Sequence, residues 1–210
     1  MTSKKTRTTV MSETAIGSCL AREIHRVVTD LDRERIDAAS VEPAPGDTPE
    51  FCLVQGQVMP EVRFEVALPR DWNGRLYMFG NGSVAGEALG GPGRTATRNN
   101  AIRRGFATAQ TNTGHDAARE PLATFAGKSA EARGLRLRAV HVTAMTAKAL
   151  GHAHYDAPAV RSYFAGCSTG GRQGLIAAQR FPDDFDGIVV GAPVLKFTGT
   201  MAMRPCRARR

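Results

Sequence analysis

The chain has 210 residues, 42% of them hydrophobic and 23% charged, a balance that excludes a wholly disordered chain. No run approaches the roughly 20 apolar residues of a bilayer-spanning helix, so a membrane partner is not expected. The formal charge of +8 suggests nucleic acid only until it is located: Lys4, Lys5 and Arg7 put +3 on the first ten residues and Arg204, Arg207, Arg209 and Arg210 put +4 on the last ten, which leaves the body nearly neutral and excludes a basic binding face.

Residues 1–14 are expected to be disordered. Their basic start runs into Thr8-Thr9-Val10-Met11 and lacks the apolar stretch of a signal peptide. Residues 14–40 read as helical, with a break at Val41-Glu42-Pro43-Ala44-Pro45-Gly46-Asp47. Phe51–Val58 and Val62–Leu68 read as strands, the second alternating Val62, Phe64, Val66 and Leu68 with Arg63, Glu65 and Ala67. Arg75–Gly80 is a short apolar strand that enters the glycine-rich loop Gly80-Asn81-Gly82-Ser83. The longer loop through Gly90-Gly91-Pro92-Gly93 lacks the Lys-Ser/Thr pair of a phosphate-binding loop.

Residues 97–104 read as a short helix, and Gly105–Thr111 as a strand ending at Asn112-Thr113-Gly114-His115-Asp116. Residues 129–151 form a longer helix with Leu137, Val140, Ala144, Ala147 and Leu150 on one face. Pro158–Gly166 returns to strand, Thr169–Phe181 is a helix stopped by Pro182, and Phe185–Gly191 is a last apolar strand. Strands followed by strand–helix alternation imply an α/β fold, its sheet mostly parallel with helices on both faces.

The segment Gly166-Cys167-Ser168-Thr169-Gly170 carries the chemistry. It is a Gly-x-Ser-x-Gly motif between an apolar strand and a helix, the context in which such a serine is a nucleophile. The serine must sit on a tight turn with its hydroxyl clear of the sheet, so its neighbours must be small. Oxyanion donors would be the Thr169 N–H and, from the earlier glycine-rich loop, that of Gly82 or Ser83. The base is harder to place. In this arrangement the order is serine, acid, histidine, yet His25, His115, His141, His152 and His154 all precede Ser168. His115, at the end of a strand, is the candidate that faces the sheet edge. Asp183, Asp184 and Asp186 follow the serine and read as solvated loop residues. His152 and His154 have an H-x-H spacing but no further ligands nearby, so no metal site is read. Cys19, Cys52, Cys167 and Cys206 form no C-x-x-C clip, and their pairing stays open.

Gly166-Cys167-Ser168-Thr169-Gly170-Gly171-Arg172-Gln173, followed by Phe181-Pro182-Asp183-Asp184-Phe185-Asp186-Gly187, resembles the tannase and feruloyl esterase family. Trp72-Asn73-Gly74-Arg75, Gly80-Asn81-Gly82, Asn112-Thr113-Gly114-His115 and Arg138-Ala139-Val140-His141 agree with it, over roughly residues 15–200. The resemblance implies an α/β-hydrolase domain that cleaves small aromatic esters of the hydroxycinnamate or gallate type, with Ser168 as nucleophile and the Thr169 and Gly82 N–H groups as oxyanion hole. It implies a Cys19–Cys52 disulfide, a disulfide from Cys167 to a cysteine beside the catalytic histidine, a secreted or periplasmic location, and calcium in a lid. It also implies what is missing: the lid, and the triad aspartate and histidine beyond it. Ser83 stands where the family has a second glycine. Residues 201–210 match nothing in the family and are read as an aberrant basic tail from a frameshift or premature end. The expected function is a carboxylic-ester hydrolase inactive as this fragment; the alternative is a non-catalytic remnant of one.

Overall fold

A single row of side chains explains most of the sheet. In the computed structural model, which describes residues 19, 34–43, 46–120, 138–196 and 199, Ala39, Val54, Val66, Ala109, Met78, Phe164 and Ile188 stand in register across seven strands. The strands are β1 (Glu34–Glu42), β2 (Phe51–Val58), β3 (Val62–Pro69), β4 (Arg75–Phe79), β5 (Ala107–Thr111), β6 (Arg161–Cys167) and β7 (Gly187–Gly191). Their spatial order is β1-β2-β3-β5-β4-β6-β7. The period of two along each strand puts this row on one face, where all but Ile188 are buried. Helices α2 (Ala139–Tyr155) and α3 (Thr169–Arg180) cover that face with Ala144, Ala147, Leu150 and Ala177. Helix α1 (Pro92–Ile102) covers the other through Ile102, which packs with Phe51 and Ala67.

Helices thus lie on both faces, as expected. The sheet is mixed, however, where a mostly parallel one was expected. β1, β2, β3 and β5 pair antiparallel in succession, and β5, β4, β6 and β7 pair parallel. The antiparallel half arises because β2 and β3 are joined by a tight connection and need no crossover helix.

The helix expected over 14–40 is corrected at its described end. Glu34–Glu42 is a strand paired with β2. A bulge at Asp37, between Ile36 and Ala38, breaks the period-two pattern, so the residues read locally as helix formers. Long-range pairing overrides that local preference. Helix α1 starts five residues earlier than expected, with Pro92 at its first turn. Helix α2 runs on to Tyr155 and ends at Asp156 in the left-handed region, φ 52°. The expected disordered lead-in 1–14, the helix expected over 14–33 apart from Cys19, its counterpart over 129–137 and the tail 201–210 lie outside the described residues.

Cys19 and Cys52 form a disulfide, as the resemblance implied. Cys167 is an exposed free thiol among the described residues.

Candidate active site

Two loops meet at the carboxyl ends of neighbouring parallel strands. β4 and β6 are adjacent, with Phe79 opposite Ala165, so the loop after β4 emerges beside the turn after β6. Such strand ends are where open α/β sheets place their sites.

Ser168 is the turn between β6 and α3. Its φ of 58° and ψ of −117° lie in a region that side chains rarely adopt. The conformation is held by backbone on both sides: Ser168 N–H donates to Gly191 O at 3.0 Å, and Ser168 O accepts from Arg172 N–H at 3.1 Å. Ser168 occupies the helix N-cap position yet makes no side-chain cap bond, and no described residue hydrogen-bonds its hydroxyl. Its Oγ is therefore not used to hold the helix. The glycines of the motif are required by contact. A Cβ on Gly166 would stand 2.4 Å from the Gly170 carbonyl, and one on Gly170 would stand 3.1 Å from Gly80 Cα and Asn81 O. The Ser168 turn, a nucleophile elbow in form, and the β4 loop are in backbone contact: a Cβ on Gly80 would stand 2.6 Å from Gly170 Cα.

Helix α3 grips that loop. Gln173 Nε2 donates to Asn81 Oδ1 at 3.0 Å, while Gln173 Oε1 accepts the Asn81 N–H at 2.9 Å. Asn81 Nδ2 donates to Thr111 O at 2.8 Å, tying the loop to β5 as well. Thr169, buried, donates its hydroxyl to Ser83 O. Thr169 is thus brought against the loop that holds Gly82. Gly82 N–H itself donates to Glu87 Oε1 at 2.5 Å. Arg94 stands behind Glu87; burial draws its guanidinium down from its ordinary value, and the carboxylates of Glu87 and Glu65 oppose that shift. A groove of about 370 Å³ opens beside Thr169, walled by Val84, Ala85, Ile176 and Phe181.

Two of the histidine candidates, His115 and His141, line the same groove, though neither is hydrogen-bonded to Ser168. His115 is buried behind the loop, where a Cβ on Gly86 would stand 2.5 Å from its Nε2. His141 stacks on Phe181 at 4.1 Å, just past the C-terminal end of helix α3, and lines the groove from that side. There it meets Asp184, with Nδ1 2.9 Å from both carboxylate oxygens. The reading of Asp184 as a solvated loop residue is corrected: it is buried under α2, whose His141 meets its carboxylate and whose Lys148 Nζ donates to its backbone oxygen at 2.6 Å. Asp186 is engaged too, accepting the Ser162 N–H at 2.8 Å. His152 and His154 lie in the last turn of α2, where burial lowers the proton affinity of His154.

Gln173 closes the Gly166–Gln173 motif but had no role assigned to it, and Glu87 and Arg94 were not legible as site residues. Their only sequence signal is proximity to the two motifs, and it acquires meaning once β4 and β6 are neighbours.

A sequence profile described as tannase and feruloyl esterase matches residues 48–209, so the match runs into the segment 201–210 that was expected to lie outside the family. The chain belongs to the tannase and feruloyl esterase family. The probable feruloyl esterase B-2 of Aspergillus flavus is 34% identical over 184 residues, covering 84% of this chain and 33% of the relative. The mono(2-hydroxyethyl) terephthalate hydrolase of Piscinibacter sakaiensis is 36% identical over 178 residues, covering 75% of this chain and 29% of the relative. The crystal structure of feruloyl esterase B from Aspergillus oryzae superposes with a TM-score of 0.62 at 27% identity, covering 83% of this chain and 39% of that one. The fold is that of the α/β-hydrolase esterases. The chain spans about a third of the length of these family members.

Proposed function

We propose that this chain carries the nucleophile and oxyanion hole of a serine carboxylic-ester hydrolase acting on small aromatic esters of the hydroxycinnamate or gallate type. The observation that supports it is Ser168 in a strained turn at a helix N-terminus, its hydroxyl not spent on a cap. In this reading Ser168 Oγ attacks the ester carbonyl. Thr169 N–H and the Gly82 N–H, once released from Glu87, receive the oxyanion, each donor contributing about 3–4 kcal/mol to the transition state. The substrate class follows the family and the relatives named feruloyl esterase.

No described histidine is hydrogen-bonded to Ser168, and His141, which lines the groove, is engaged by Asp184. In this reading the proton acceptor and its aspartate come, as the family resemblance implies, from polypeptide beyond these 210 residues, as does the lid with its calcium. No three His, Cys, Asp or Glu side chains converge among the described residues to hold such an ion. Cys167, exposed beside the nucleophile, would take its disulfide partner from the same missing part. The Cys19–Cys52 disulfide supports export to an oxidising compartment.

The test is turnover of methyl ferulate and methyl gallate by the purified chain beside its Ser168→Ala variant. The wild-type chain is expected to be acylated at Ser168 by activated esters but to turn over these substrates slowly. Acylation undiminished in Ser168→Ala would remove Ser168 as nucleophile. Fast Ser168-dependent turnover would place the base inside this chain.

A further inference from the structure

Glu87 belongs to none of the motifs, yet its carboxylate spans two donors of the loop after β4. Gly82 N–H donates to Oε1 at 2.5 Å and Asn81 Nδ2 to Oε2 at 2.8 Å. The carboxylate is held from behind. Arg94 Nη1 lies 3.7 Å from Oε1, and Arg94 Nε donates to Gln110 Oε1 at 2.5 Å. Gln110 Nε2 and Arg98 Nη1 in turn donate to Glu65 Oε1 at 2.5 and 2.8 Å, and Glu65 is buried in β3. Glu87 is thus the outer end of a chain of charges anchored in the sheet, itself about a third exposed at 31%.

A short hydrogen bond from an amide to an ionised carboxylate is of the stronger class. An ester oxyanion asks the same N–H for the same bond, and one proton cannot fully serve both. The Ser83 N–H, next in the loop, has no acceptor among the described residues.

We propose that Glu87 gates the oxyanion loop: its carboxylate holds the Gly82 N–H in the resting protein, and that amide serves a substrate only when Glu87 gives it up. The inference rests on the esterase reading above. In the acylation step a bond forms from Ser168 Oγ to the acyl carbon, the bond from that carbon to the leaving alcohol breaks, and the Oγ proton passes to base or buffer. The negative charge that appears on the carbonyl oxygen competes with Glu87 for Gly82 and is repelled by it. Glu87→Gln keeps the shape and an acceptor oxygen while removing the charge.

The experiment uses the full 210-residue chain, with Glu87→Gln, Glu87→Ala and Ser168→Ala. Heteronuclear NMR follows the Gly82 amide, and intact mass follows acetylation by p-nitrophenyl acetate. The expected result is an upfield move of the Gly82 amide proton in both Glu87 variants. Acetylation of Ser168 is expected to be about tenfold faster in Glu87→Gln, the ratio that release of a charge-assisted bond commands. A residue that only braces the loop predicts the reverse, slower acetylation in both variants as the loop loosens. An unmoved Gly82 resonance in Glu87→Gln overturns the gate. So does a moved resonance with acetylation unchanged or slower, which would leave the oxyanion to Ser83. Absence of Ser168-dependent acetylation in every form, wild type included, overturns the esterase reading and the gate with it, and a moved Gly82 resonance tells that case apart.

Discussion

Ser83 and Ser168 both hold a positive φ, 47° and 58°, but for different reasons. At Ser168 the strain aims a hydroxyl, the kind of cost that functional turns carry. At Ser83 no side-chain hydrogen bond among the described residues offsets it, and the family resemblance has glycine there. The left-handed conformation costs a side-chain-bearing residue roughly 1–2 kcal/mol. Glycine would remove that cost but give back about 0.4–1 kcal/mol through the larger entropy of its unfolded chain. The balance favours glycine. Ser83→Gly is therefore expected to stabilise the protein by about 0.5–1 kcal/mol in urea denaturation, and the contact from Thr169 Oγ1 survives because it goes to the Ser83 backbone oxygen. A loss of stability would mean that the loop, not the residue, sets this dihedral.

Helix α2 shows two local effects in opposition. His154 is in its last turn, where the helix dipole favours the imidazolium. Burial wins: packed edge-on against Tyr155 at 4.7 Å, His154 has its pKa lowered below the ordinary 6.5. The sign of the linkage follows. Above the unfolded value neither state binds the proton and His154 contributes nothing. As the pH falls through about 6.5 the unfolded chain binds it first, so stability is lost on acidification. His154→Gln is expected to flatten the stability profile between about pH 7 and pH 5, measured by urea denaturation against wild type at each pH. A parallel profile for the two proteins would show that His154 is not buried from protons. Elements also mark what was legible in the chain. β3 was, because its alternation survives in the residues themselves, and the elbow was, because strand, glycines and helix are contiguous. β1 was not, since a bulge at Asp37 hides its period. The start of α1 was missed behind Gly91-Pro92-Gly93, although proline at a first helical turn is a start signal. The Gln173–Asn81 clasp joins residues 92 apart and the His141–Asp184 pair residues 43 apart, and no local pattern announces either.

The whole molecule divides its labour along the sheet. The parallel half carries the candidate site, and among the described residues its outer strand β7 pairs with β6 alone, with Val189 69% exposed. The antiparallel half carries the covalent tie. Cys52 is buried in β2, opposite Val41 of β1 and Leu68 of β3, and its disulfide to Cys19 closes a loop with a sequence separation of 33. In the chain-entropy account, closing a loop of that size destabilises the unfolded state by about 3–4 kcal/mol. Against the 5–15 kcal/mol that typical domains have in all, that is a large share. The site lies at the other end of the sheet, three strands from β2 at β4 and beyond, and is held by bonds to α3 and β5 that do not involve β1 or β2. Cys19→Ala is therefore expected to lower stability by about 3 kcal/mol, seen as an earlier urea midpoint with a steeper slope, since the unfolded chain without the cross-link exposes more surface. Acetylation of Ser168 in the absence of denaturant is expected to keep its rate. A large loss of stability with that rate unchanged would show that the two halves of the sheet are energetically joined but chemically separate; a fall in acetylation under native conditions would show that the disulfide reaches the oxyanion loop through β3 and Glu65.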